Sequence, residues 1–208
     1  MRITANYSPN FNIKKRKPKD IKFIIFHYTG MKKEKDAINK LTNEKSKVSC
    51  HYFIKNNGEI LTLVPDLYTA WHAGISSWQN FKFLNKNSIG IEISNPGHEN
   101  LYRKFSKKQI NSILSLSKFL IKKYNIKTEN VIGHSDIAPD RKKDPGEKFP
   151  WKYLAKKKIS ICKIYNSEIK KHPFPRSEKR INALSILRGS ESGFKHAEAF
   201  KLILKRES

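Results

Sequence analysis

A chain of 208 residues suits one domain of ordinary size plus an appendage, and its 38% hydrophobic and 29% charged residues exclude collagen-like and membrane-spanning classes. The 43 Lys and Arg against 18 Asp and Glu give a net charge of +25, a balance that points towards polyanions. A general lysine bias explains this charge as well as nucleic-acid binding does: 35 of the basic residues are Lys and only 8 are Arg, the residue whose planar fork suits phosphate and base edges.

Residues 1–20 are basic but contain no apolar run of signal-peptide length, so a cytoplasmic location is expected, or the cell envelope if the chain is a processed form. No stretch is apolar for long enough to span a bilayer. Cys50 and Cys162 form no CxxC pair, which leaves neither a disulfide framework nor a cysteine zinc cluster.

In chain order, KFIIFH over 22–27 predicts a buried strand closed by His27, with Tyr28, Thr29 and Gly30 as a turn. A short helix is expected over 33–43. Two strands, 51–54 and 59–64, flank Asn56, Asn57 and Gly58, a hairpin signal because Asn-Gly supplies positive φ angles. Residues 60–100 hold only two basic side chains, Lys82 and Lys86, where an even spread would place roughly eight, so this stretch is kept nearly free of positive charge.

SIGIEIS over 88–94 alternates strictly, which puts Ile89, Ile91 and Ile93 on one face and Gly90, Glu92 and Ser94 on the other. Ser106 and Gln109 have capping-box spacing, and the apolar residues that follow recur at helical spacing to about Tyr124. VIG over 131–133 predicts a short strand leading into His134 and an irregular loop with Pro139, Pro145 and Pro150. Interleaved strands and helices imply an α/β fold, a central mixed sheet flanked by helices. Two further helices, 177–188 and 191–205, are expected in a basic C-terminal extension, so that the division is 1–157 and 158–208.

Polar residues at strand ends carry the chemistry. His27 and His134 close apolar strands, and the loop after His134 offers Asp136, Asp140 and Asp144. Two histidines and one carboxylate are the ligand set of an open zinc site, and spacing leaves the choice among the three aspartates open. Glu92, stranded between Gly90 and Ser94, is a candidate proton acceptor, and Lys142, two residues before Asp144, a candidate cation for a developing oxyanion. His51 reads as core packing, His98 and Tyr28 as neighbours of the site, and Arg141 and Lys143 as solvated charges.

FHYTG around His27, AWHAG over 70–74, SIGIEISNPGHE over 88–99 and VIGHSDIAPDRKKDPGEKFPW over 131–151 resemble the zinc-dependent N-acetylmuramoyl-L-alanine amidases of the AmpD/AmiD type, which share the fold of peptidoglycan-recognition proteins. The motifs occur in the family's order from about Tyr7 to Tyr153. The resemblance implies one Zn2+ per chain on His27, His134 and Asp144, with Asp136 and Asp140 structural. It also implies Glu92 and Lys142 as catalytic residues and His72, with Trp71 behind it, as a substrate contact. Asn95 is a further candidate substrate contact. The implied partners are peptidoglycan fragments or muropeptides, cut between N-acetylmuramic acid and L-alanine, by a chain expected to be a monomer. A muropeptide-binding module without activity is the first rival reading, and a basic nucleic-acid-binding protein, suggested by charge alone, is the second.

Overall fold

A computed structural model describes residues 2–161. The expected helices of the extension, with Cys162, His172 and His196, lie outside these residues, and Met1–Ser160 form one compact unit.

Six strands form the main sheet: β1 (Ile3–Ala5), β2 (Phe23–Tyr28), β3 (Tyr52–Ile54), β4 (Ile60–Thr62), β5 (Ser88–Ile93) and β6 (Val131–Gly133). Their order is β1-β4-β3-β5-β2-β6. Neighbours run parallel except β3 and β4, the predicted hairpin. Its turn brings Gly58 to φ +85°, and a Cβ there would lie 2.9 Å from the Lys108 carbonyl oxygen, so both backbone angle and space demand glycine.

The helices are α1 (Glu34–Thr42), α2 (Lys107–Tyr124), α3 (His134–Ile137) and α4 (Trp151–Lys156). In α2 the predicted capping box is formed: Gln109 N–H donates to Ser106 Oγ at 3.2 Å and Ser106 N–H to Gln109 Oε1 at 3.0 Å. Ile113, Leu116 and Leu120 of this helix are fully buried. The segment after His134, expected to be irregular, instead opens with the single turn of α3, while β1 and α4 are elements that no sequence pattern announced.

The alternation read in β5 holds. Ile89, Ile91 and Ile93 are completely buried. On the other face, Phe23 and Ile25 pack with Ala73, Leu84, Ile132 and Ile137, while α1 places Ala37 and Leu41 against Phe53 and Leu61. These two clusters bracket the strand ends where the candidate residues lie.

Candidate metal centre

Strand pairing assembles the site. β2 and β5 are parallel with His27 opposite Glu92, so the two side chains leave the sheet on the same face. β6 runs parallel to β2 with Gly133 opposite Phe26, which brings the next residue, His134, beside His27 with ring centroids 4.5 Å apart. Both histidines thus stand at the carboxyl ends of neighbouring parallel strands, where open α/β sheets bind ligands.

Asp144 reaches the pair from the loop after α3. His27 Nδ1 lies 2.9 Å from His134 Nδ1 and 3.0 Å from Asp144 Oδ2, and His134 Nδ1 is 3.1 Å from the same oxygen. All three side chains are buried, and among the described residues they are the group of this kind whose donor atoms converge. The triangle is close to the roughly 3.3 Å edge that three ligands make around a tetrahedral Zn2+.

The chemistry of the donor set fits a cation as well. His134 Nε2–H donates to the Ala73 carbonyl at 3.2 Å, which leaves its Nδ1 with a lone pair aimed at an anionic oxygen and a second imidazole nitrogen. Such a surplus of electron pairs in a buried place is one that a metal ion would satisfy. Burial and the His134 ring hold the His27 imidazole down at about 4 despite Asp144, so it is neutral and able to ligate near pH 7. Burial pushes the Asp144 carboxyl up, and its contacts to His134 and His27 more than offset this, leaving it below the usual carboxylate range.

The aspartates left open by spacing are now sorted. Asp136 accepts a hydrogen bond from Gly133 N–H at 2.6 Å, closing the start of α3, and Asp140 is exposed at the rim. The triad opens into a cleft of about 580 Å3 whose walls include Glu92, Trp71, His72, Lys142 and Arg141. Burial and the charge of Asp144 push the Glu92 carboxyl up to about 8 against the opposing pull of Lys142. Lys142 is half-buried in the cleft wall.

Three expectations need correction or refinement. Asn95 is 1% exposed, donates from Nδ2 to the Arg103 carbonyl and accepts the Gly97 N–H at Oδ1, so it shapes the loop beside the cleft and is not part of its lining. Trp71 lines the cleft and is anchored by its Nε1–H donating to Asn12 Oδ1 at 2.7 Å. His72 also lines the cleft, but both of its ring nitrogens are engaged within the protein: Nδ1 is 3.0 Å from His27 Nε2, and Nε2 is 3.1 Å from Ser88 Oγ.

His51 is fully buried, as expected of core packing. His98 joins two cleft-side loops, with Nδ1 2.9 Å from Tyr28 Oη and Nε2 2.8 Å from Glu147. Reading residues singly missed Ser88 and Gly90. A glycine in mid-strand was the available signal, since it marks a close approach.

A family model described as N-acetylmuramoyl-L-alanine amidase matches residues 17–147. The N-acetylmuramoyl-L-alanine amidase AmiD of Escherichia coli is 41% identical over 151 residues, covering 67% of this chain and 54% of the relative. The 1,6-anhydro-N-acetylmuramyl-L-alanine amidase AmpD of E. coli is 41% identical over 105 residues, 50% of this chain and 55% of that one. The chain thus spans little more than half the length of these two relatives. Among solved structures, the complex of E. coli AmiD with the substrate anhydro-N-acetylmuramic acid-L-Ala-D-γ-Glu-L-Lys aligns at TM-score 0.64 and 29% identity, covering 90% of each chain.

Proposed function

Since the chain belongs to the N-acetylmuramoyl-L-alanine amidase family, we propose that it hydrolyses the amide between N-acetylmuramic acid, or its 1,6-anhydro form, and the L-alanine of the stem peptide. The substrate class is peptidoglycan fragments or muropeptides. The observation that carries this reading is the buried convergence of His27, His134 and Asp144 in a cleft whose wall also presents Glu92 and Lys142.

His27, His134 and Asp144 would hold one Zn2+, which would supply Lewis-acid polarisation of the scissile carbonyl and lower the pKa of water to near neutrality. Glu92 takes the proton from the attacking water and returns it to the leaving amine of L-alanine; a proton affinity raised towards neutrality by burial suits a group that must do both. Lys142 stabilises the negative charge that develops on the carbonyl oxygen. Arg141 has no such part: its guanidinium is spent on the Ala73 and Ile75 carbonyls, which tie the loop after α3 to the WHAG segment. Trp71 forms part of the wall against which substrate lies.

The test is to incubate the protein with anhydro-muropeptide and with intact peptidoglycan, with and without chelator, and to identify released peptide by mass spectrometry. Release that chelator abolishes and Zn2+ restores is expected, with Glu92→Gln slower by about 10²–10⁴-fold while still binding zinc. Zinc binding without peptide release from either substrate would return a muropeptide-binding module instead.

A further inference from the structure

The residues behind the first ligand form a chain of hydrogen bonds whose direction is set at its far end. The Leu84 carbonyl oxygen can only accept, so Ser88 Oγ–H donates to it at 2.6 Å. Ser88 Oγ therefore accepts from His72 Nε2–H at 3.1 Å. A neutral imidazole carries a single N–H, and in His72 that one is spent on Ser88. Its Nδ1 therefore presents a lone pair, and His27 Nε2–H donates to that atom at 3.0 Å. The proton of His27 is thus held on the nitrogen away from Asp144, and Nδ1 is left bare on the side where the three donor atoms converge.

The fold makes room for this arrangement at one place. A Cβ on Gly90 would stand 2.4 to 2.6 Å from the Cγ, Cδ2 and Nδ1 atoms of the His72 ring, so no other residue fits beneath it in β5. The His72 and Ala73 backbone N–H groups both donate to Asn85 Oδ1, at 3.1 and 2.7 Å, which sets the height of the segment. The same segment supplies the Ala73 carbonyl that receives His134 Nε2–H. One short stretch of chain therefore orients both histidines.

We propose that His72, backed by Ser88 and seated over Gly90, is a positioning residue that fixes the tautomer of His27 and so sets the affinity of the site for zinc, rather than a contact for substrate. The proposal rests on the reading of the cleft as a zinc site. A ligating histidine is commonly oriented by a carboxylate or carbonyl acceptor; here the acceptor is a second imidazole whose own proton is committed further back.

Two measurements on the full chain test it: the zinc dissociation constant by chelator competition, and the protonated ring nitrogen of His27 by long-range ¹H–¹⁵N correlation in the metal-free protein. His72→Leu should weaken zinc binding by about 10–100-fold and release His27 into a mixture of tautomers. Ser88→Ala, which leaves His72 in place, should give a smaller loss in the same direction and serves if the leucine variant does not fold. His72→Asn, whose side-chain oxygen can accept at the Nδ1 position, should recover most of the affinity.

Zinc affinity and tautomer unchanged in His72→Leu and Ser88→Ala, with only the KM for muropeptide raised, would overturn the proposal and restore a substrate contact. If the unsubstituted protein binds no zinc, it is the metal reading that fails, a result told apart because it does not depend on any variant.

Discussion

Asp66 and Asp144 are buried to the same degree, 7% exposed, and both are held below the usual carboxylate range, yet they are satisfied in opposite ways. Asp66 receives protons from the protein: Tyr52 Oη donates to Oδ1 at 2.6 Å, and Lys123 Nζ and Tyr124 Oη donate to Oδ2 at 2.8 and 2.6 Å. Burial pushes its carboxyl up and these donors more than reverse the effect. This network joins the end of α2 to β3 and is complete as it stands. Asp144 meets two imidazole nitrogens, one of them left with a lone pair by a bond to a carbonyl and the other by the chain through His72. The first carboxylate closes a structure, whereas the second completes the proposed coordination site, and burial alone does not distinguish them.

The comparison breaks most visibly at activity. Asp144→Asn should lower turnover by more than the roughly 100-fold that losing an outer group costs a metal site, while Asp66→Asn should leave the folded fraction within about twofold of normal. Parallel assays on anhydro-muropeptide with soluble protein check this. Comparable losses in the two variants would erase the distinction.

Metal linkage comes next. Zinc at about 1,000 times its dissociation constant should stabilise the protein by roughly 4 kcal/mol, read as a shift in the urea midpoint. Asp66→Asn should keep that increment and Asp144→Asn should lose it. Without metal the order reverses: Asp66→Asn removes the charge and turns one of two accepting oxygens, reached by buried Tyr52 and by the more exposed Lys123 and Tyr124, into an NH2 group, and should cost about 3 kcal/mol, more than Asp144→Asn does.

The two regions should also differ in their response to acid. His27 and His51 are held at about 4 and about 3, mainly by burial, below the ordinary histidine value of 6.5. Depressed bases contribute stability that is present above 6.5 and is lost as pH falls towards the folded values. Metal-free protein should therefore weaken between pH 6.5 and 4 by up to about 1.4 kcal/mol per pH unit for each such group. The Asp66 contribution is that of a depressed acid: it is present above the ordinary value of 3.8 and fades only below it. Unfolding midpoints measured from pH 7 to 3 for the unsubstituted chain and Asp66→Asn should diverge above pH 4 and converge below it.

What could be read from the sequence was periodic or local. The alternation of β5, the apolar run of β2, the Asn-Gly turn and the Ser106–Gln109 cap each depend on neighbours a few residues away, and each appears where the pattern put it. β1 was not legible because its residues are mostly exposed and its definition comes from pairing with β4, some 57 positions along the chain. Arg16 carries no local signal either: it stands in the basic run Lys14 to Lys17, yet it is half-buried with its guanidinium donating to the carbonyls of Asp66, Asn85 and Ser88, and burial lowers its pKa to about 10.

The site divides along the same line. Residue types and spacing named His27, His134, Glu92 and Lys142, and resemblance to a family selected Asp144, because an aspartate's place in a proline-rich loop leaves no periodic trace. That resemblance carried His72 to the substrate; its proposed place behind the metal ligand rests on partners that stand 45 residues before it and 16 after it. By itself the sequence determined the strands, the helix cap and the kinds of chemistry available. Tertiary structure alone decided which nitrogen of each ring is bare and which buried carboxylate meets bare imidazole nitrogens rather than donors, because donor geometry is created only when distant segments pack together.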